Sequence, residues 1–387
     1  MFGNILFLKL LVQYIIMKKQ GNICVNCGNH KVGIHCFDCI GTSIRDAEII
    51  RKQVVKEMDT HYTDSVWRAS ETREKNWNRD YSSLDNYLLS VNNNRLNLIN
   101  LMGGITVDLV DSPVFQKLES FGDISSQRVW LPLNNGIRVY GILLIPQNPI
   151  GPKPAVIAQH GFGGSPEATV GYNLEEKTQY LNEFGLQLAR RGYVVFAPLM
   201  MNNTPDSSRL NRKGTLIGKQ LMGLEIGMTV KVVDFLETLP EVNSDRIGYM
   251  GISQGGMMGL WVGAVEQRIV ATVCSGFFTK RTPKMIELSP GYTAFMQTGD
   301  DNKFFWGQLN EFSDSDIASL ICPRAFFVEA GTEDMCFSMD HVKDEFAQVK
   351  AVYDKLGIPE KAELGIFKGP HQIHGVESFQ FLDKWLK

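Results

Sequence analysis

Residues 247–260 read IGYMGISQGGMMGL, and the fold turns on whether a strand ends and a helix begins at Ser253. Ile247 to Ile252 is an unbroken apolar or small run, the pattern of a strand buried on both faces. Gly251, Ser253 and Gly255 satisfy G-x-S-x-G, in which the serine sits on a sharp strand-to-helix turn and the glycines leave room for the surrounding backbone. The GGMMGLWVGAV that follows is small and apolar, suited to a helix buried against a sheet. Such a turn exposes the serine oxygen beside a helix start, where negative charge is favoured. The competing reading is a glycine-rich turn with a structural serine, and the rest of the chain decides between them.

Working outward, the chain repeats the same alternation. QRVWLPLNNGIRVYGILLIP alternates and breaks at Asn134-Asn135-Gly136, a hairpin signal. KPAVIAQHG, YVVFAP, IVATVCSG, RAFFVEAG and AELGIFKG read as buried strands separated by helices or long loops, and GVESFQFLDKWL as a closing amphipathic helix. This predicts an α/β fold with a mostly parallel sheet covered on both faces. Polar residues gather just past the strands at His160, Ser253, Asp334 and His371, where such sheets bind ligands.

A serine hydroxyl needs a base. In the chain order that accompanies this turn the base follows both serine and acid, which leaves His341, His371 and His374. His341 falls in a helical stretch. KGPHQIHG follows the last strand as a loop, so His371 is the favoured base and His374 the alternative. FFVEAGTEDMCF offers the acid. Asp334, past the Gly331 turn, is favoured, Glu333 is the alternative, and Glu329 lies inside the strand. In AQHGFGG, glycines let backbone approach a bound carbonyl, and the N–H groups of Phe162 and Gln254 can pair as an oxyanion hole. His160 reads as a brace for that loop.

These features together resemble the α/β-hydrolase superfamily, in its dienelactone-hydrolase-like and acetyl-xylan-esterase-like branch. The resemblance covers about residues 126–387 and rests on HGFGG, LETLPEVNSDRIGYMGISQGG, DIASLICPRAFFVEAGTEDMCF and GPHQIHGVESFQFLDKWL. It implies a mostly parallel eight-stranded central sheet and hydrolysis of a carboxylic ester through an acyl-enzyme. The implied substrate is an acetyl or short-acyl ester, on a carbohydrate or a small molecule. The triad roles fall on Ser253, Asp334 and His371, and that cycle needs no cofactor. A serine in place of the cysteine of dienelactone hydrolases argues against that particular activity. A serine peptidase of the same fold and a non-catalytic, zinc-containing interaction protein are the alternatives.

The domain plan places an apolar leader or start-site artefact at residues 1–20, with Met17 as a candidate start. A cysteine module follows at 21–40, a helical extension at 41–125, and the α/β-hydrolase domain at 126–387 with an insertion at about 276–312. In that insertion Phe277, Phe278 and Trp306 are candidates to line a substrate pocket, with ordinary core as the competing reading. Cys24, Cys27, Cys36 and Cys39 are spaced C-x2-C-x8-C-x2-C, which fits one closed structural Zn²⁺ site. Cys274, Cys322 and Cys336 read as small buried hydrophobes. With 44% hydrophobic residues, 21% charged residues and a net charge of −3, the composition is that of a globular protein. Nothing in that balance points to nucleic acid. Lys9 and Gln13 interrupt a leader already short for a membrane span, so a cytoplasmic protein without membrane association is expected, and an oligomer is compatible with the sequence.

Overall fold

The computed structural model describes residues 31–32, 35–36, 44–105, 107–172, 176–201, 204–288 and 293–387. The chain divides into two compact units, residues 1–67 and 68–387. In the first, Lys31–Val32 pairs antiparallel with His35–Cys36, and helix α1 (Ile44–Trp67) runs for 24 residues. The leader at 1–20 lies outside the described residues, as do Cys24, Cys27 and Cys39; of Cys36 only the backbone pairing is described.

The second unit is built on one sheet. Its strands are β1 (Val114–Lys117), β2 (Ile124–Pro132), β3 (Arg138–Pro146), β4 (Lys153–Gln159), β5 (Val194–Pro198), β6 (Val242–Ile252), β7 (Ile269–Ser275), β8 (Ala325–Gly331) and β9 (Ala362–Phe367). In space they run β9-β8-β7-β6-β4-β5-β3-β2-β1, a nine-stranded mixed sheet. The five pairings from β9 across to β5 are parallel. Those joining β5, β3, β2 and β1 are antiparallel. The Asn134–Gly136 turn reverses the chain between β2 and β3, with Asn135 at φ 64 and Gly136 at φ 73, the left-handed region that Asn and Gly tolerate.

One expectation is corrected here. The sheet has nine strands rather than eight, because Val114–Lys117 adds an edge to β2. All four of its residues are exposed, so the strand carries no alternation and is defined by its pairing alone. The division into compact units falls at 67/68. Helix α2 (Leu84–Leu101) is the reason, since it is part of the main core: Tyr87, Val91 and Leu98 are fully buried.

Helices α3 (Leu221–Glu237), α4 (Gln254–Val265), α5 (Met339–Lys355) and α6 (Val376–Leu386) cover the sheet. Every residue of α4 but Val265 is buried, which explains why it is written almost wholly in Gly, Met, Leu, Trp, Val and Ala. A helix end leaves carbonyls unpaired, and here two guanidinium groups meet them. Arg95 Nε donates to Ala264 O at 2.9 Å. Arg324 Nη2 donates to Gly263 O at 2.6 Å and its Nη1 to Glu266 O at 3.0 Å. Positive charge at a helix C-terminus opposes the helix dipole favourably. Among the described residues no helix is long and apolar enough to cross a membrane.

Candidate active site

Ser253 stands between β6 and α4 with φ 58 and ψ −121. Non-glycine residues in that region are held at a cost of about 1–3 kcal/mol by their surroundings. The flanking glycines show what holds it. A Cβ at Gly251 would lie 2.3 Å from Gly255 O, and one at Gly255 would lie 2.3 Å from Gln159 O and 2.5 Å from His160 O. Any side chain at either position would drive into backbone, so the G-x-S-x-G spacing is a steric requirement of this elbow. The Ser253 N–H donates to Ser275 O at 2.9 Å, tying the turn to β7.

The oxyanion loop is pressed against the elbow: a Cβ at Gly161 would come within 2.9 Å of Ser253 Cβ and of Ile252 O. His160 is fully buried behind it. Its Nε2 accepts from the Met200 N–H at 3.3 Å, which leaves the ring proton on Nδ1 to be donated to Gly161 O at 2.9 Å. Burial pushes the imidazolium form down to about pKa 4, so His160 is a neutral brace. Tyr180 Oη donates to Phe162 O at 3.0 Å, fixing the same loop from its other side. Gln254 opens α4, and its Nε2 donates to Met201 O at 2.9 Å.

Asp334 and His371 meet across two loops. His371 Nδ1–H donates to Asp334 Oδ2 at 2.7 Å, and the Cys336 N–H donates to Asp334 Oδ1 at 2.7 Å. The loops are stitched by Thr332 N–H to Phe367 O and Glu333 N–H to Gly369 O, both 2.9 Å. The His371 ring is flanked by Tyr180 and Phe337 at centroid distances of 6.3 and 6.1 Å. It lies over the backbone that follows β7: a Cβ at Gly276 would be 3.1 Å from His371 Cε1 and 3.6 Å from Ile252 Cγ1. Gly276 thus lies between the ring and Ile252, the residue preceding Ser253. With Nδ1 committed to Asp334, Nε2 keeps a lone pair for a proton.

The alternatives go elsewhere. His374 is exposed and stacks on Phe367 at 4.6 Å, the two rings nearly parallel at 6°. Glu333 is exposed, while the Asp334 side chain is only 4% exposed. Phe277 and Phe278 are buried, Phe278 against Phe326 at 5.6 Å and Phe277 against Phe337 at 5.7 Å. Trp306, at 94% exposure, stands on the surface. A cavity of about 820 Å³ lies on the side of Gln159, Met200, Met201, Glu225 and Met258, and a far smaller one is lined by Phe277, Phe278 and Asp334. Glu225 accepts from the Met201 N–H at 2.7 Å, and burial raises its carboxyl to about pKa 7.

Two contributors escaped the sequence reading. Glu329, set aside because it lies inside β8, is 2% exposed. Its carboxylate accepts from Ser275 Oγ at 2.8 Å, His374 N at 3.2 Å, Gly375 N at 2.9 Å and Ser378 Oγ at 2.7 Å. It thereby anchors the far end of the His371 loop to β7. Cys336, expected as ordinary core, is half-buried beside the acid. Among the described residues, Asp334, Cys336 and His371 form the one group of side chains close enough to share a metal ion.

A family model described as acetyl xylan esterase (AXE1) matches residues 123–308, and the solved structures similar to this chain share the fold. The chain belongs to the α/β-hydrolase superfamily. Within it the chain is related to acetyl xylan esterases. "Putative hydrolase YtaP" of Bacillus subtilis (strain 168) is 28% identical over 272 residues, 66% of this chain and 86% of that protein. Acetyl xylan esterase 1 from Thermoanaerobacterium sp. JW/SL YS485 superposes with a TM-score of 0.55 at 16% identity, covering 82% of this chain and 98% of that one. A CE15 glucuronoyl esterase from Teredinibacter turnerae T7901 gives a TM-score of 0.58 at 14% identity, covering 81% and 90%.

Proposed function

We propose that this hydrolase removes an acetyl or other short acyl group from a hydroxyl of a carbohydrate or similar small molecule, with Ser253 as nucleophile. The observation that carries the reading is the 2.7 Å hydrogen bond from His371 Nδ1 to Asp334 Oδ2, beside a serine held at positive φ. His371 Nε2 takes the Ser253 proton as Oγ attacks the ester carbonyl, and Asp334 stabilises the imidazolium that forms. The N–H groups of Phe162 and Gln254 receive the oxyanion; one such donor is worth roughly 3–4 kcal/mol in the transition state. The proton returns to the departing alcohol, and water activated by the same nitrogen frees the acid.

The carbohydrate part of the proposal draws on relatives whose names specify xylan and glucuronoyl esters. Chromogenic acyl esters of increasing chain length and an acetylated xylo-oligosaccharide, offered to wild type and Ser253→Ala, test it. Activity lost in a folded S253A protein supports the nucleophile; activity surviving there refutes it. Separately, Cys24, Cys27, Cys36 and Cys39 are proposed to hold one structural Zn²⁺, in a cytoplasmic protein whose thiols stay reduced. Metal content of wild type against Cys24→Ser/Cys27→Ser tests that site.

A further inference from the structure

We propose that Asp334, Cys336 and His371 form an inhibitory site for a divalent cation, Zn²⁺ by its donor set, whose occupation switches the ester hydrolase off. The inference rests on the reading of His371 as the base. One ligand atom from each of the three residues lies within 4.8 Å of the other two. Tetrahedral zinc holds N, O and S donors at about 2.0–2.3 Å, which separates neighbouring donors by about 3.3–3.8 Å. The Asp334–His371 contact of 2.7 Å therefore has to widen by roughly 0.5–1 Å to admit the ion. Imidazole, thiolate and carboxylate are all zinc ligands, and the set leaves a fourth position to water.

The loop is already shaped for this. The Cys336 N–H holds Asp334 Oδ1 at 2.7 Å, and Lys284 Nζ donates to Cys336 O at 2.7 Å and to Thr293 O at 2.6 Å. These contacts fix the backbone from which two of the three ligands project. The carboxylate and thiolate together balance the charge of the ion.

The consequence for catalysis follows from the two ring nitrogens. The nitrogen facing Asp334 is Nδ1. Once Nδ1 is a ligand its proton moves to Nε2, and the Cys336 thiol proton leaves to solvent. Nε2 then carries N–H and cannot accept the proton of Ser253. The ion and the catalytic hydrogen bond exclude one another.

The test uses the full chain, stripped with a chelator and titrated with buffered Zn²⁺, as wild type, Cys336→Ala and Cys336→Ser. Both variants keep the backbone N–H that holds Asp334. Expected is wild-type ester hydrolysis falling at least about tenfold and returning with chelator, while each variant, referred to its own rate in chelator, needs at least about tenfold more zinc for the same fractional loss, as weakening of a metal site entails. Calorimetric titration should show one zinc-binding event weakened or missing in both variants. Equal inhibition of all three proteins, or identical zinc stoichiometry and affinity, overturns the proposal. Should no protein hydrolyse any ester, calorimetry still decides the zinc site, and the esterase reading fails on its own account.

Discussion

Replacing Glu329 probes how a carboxylate remote from the reacting atoms holds the catalytic base. The carboxylate accepts four hydrogen bonds, two from hydroxyls and two from the backbone N–H groups of His374 and Gly375. In Glu329→Gln one oxygen becomes an NH₂ group. However that amide is turned, the NH₂ faces either His374 N–H or Gly375 N–H, because each oxygen serves one of them. The hydroxyl on that side can rotate and accept; the backbone donor cannot. One charge-assisted bond is lost and one buried N–H is left unpaired, so the expected destabilisation is about 2–4 kcal/mol. Glu329→Ala strands both backbone donors and opens a void, and should lose about 4 kcal/mol or more. Urea denaturation measures both. The loosened loop carries His371, and a misplacement near 1 Å at a catalytic group can lower the rate about 100-fold, so kcat should fall with KM little changed. A Glu329→Gln protein with wild-type stability and wild-type kcat would refute the anchoring argument.

Other outcomes follow from the same geometry. Asp334→Asn should preserve the fold but lower kcat by about 10³–10⁴, since an amide no longer selects the Nδ1–H tautomer of His371; a loss below tenfold would point to another acid. Glu225 is buried, and burial raises its carboxyl to about pKa 7 from the ordinary value of 4.5. The unfolded chain releases this proton first, so the group's contribution to stability is lost as pH rises from about 4.5 to about 7, by roughly 3 kcal/mol. Glu225→Gln should therefore gain on wild type across that window in pH-dependent melting, and parallel curves for the two proteins would contradict the burial argument.

The parallel half of the fold was legible because doubly covered strands leave near-continuous apolar runs, and VVFAP, IVATVCS and AFFVEAG are such runs. The edge strand at Val114–Lys117 was not, since exposure on both faces removes any pattern. At the site, the G-x-S-x-G spacing suggested the elbow only together with the strand before it and the small, apolar helix after it, and the structure shows why the spacing matters: a Cβ at Gly251 or Gly255 would meet backbone. The choice between His371 and His374 depended on loop direction, which only three-dimensional closure supplies. Glu329 was obscured by its own strand: its value comes from donors in residues 275, 374, 375 and 378, scattered through the sequence and adjacent only after folding.

The two guanidinium groups at the end of α4 bear on how this gene could be trimmed or recombined. A piece cut to the family-matched stretch 123–308 would retain Ser253 and its oxyanion loop. It would forfeit Asp334 and His371, and also Arg95 and Arg324, which come from opposite sides of that stretch to close the same helix. The family-matched middle is therefore no autonomous catalyst; a transplantable module has to begin near Arg68, where the compact unit begins, and carry both arginines with it.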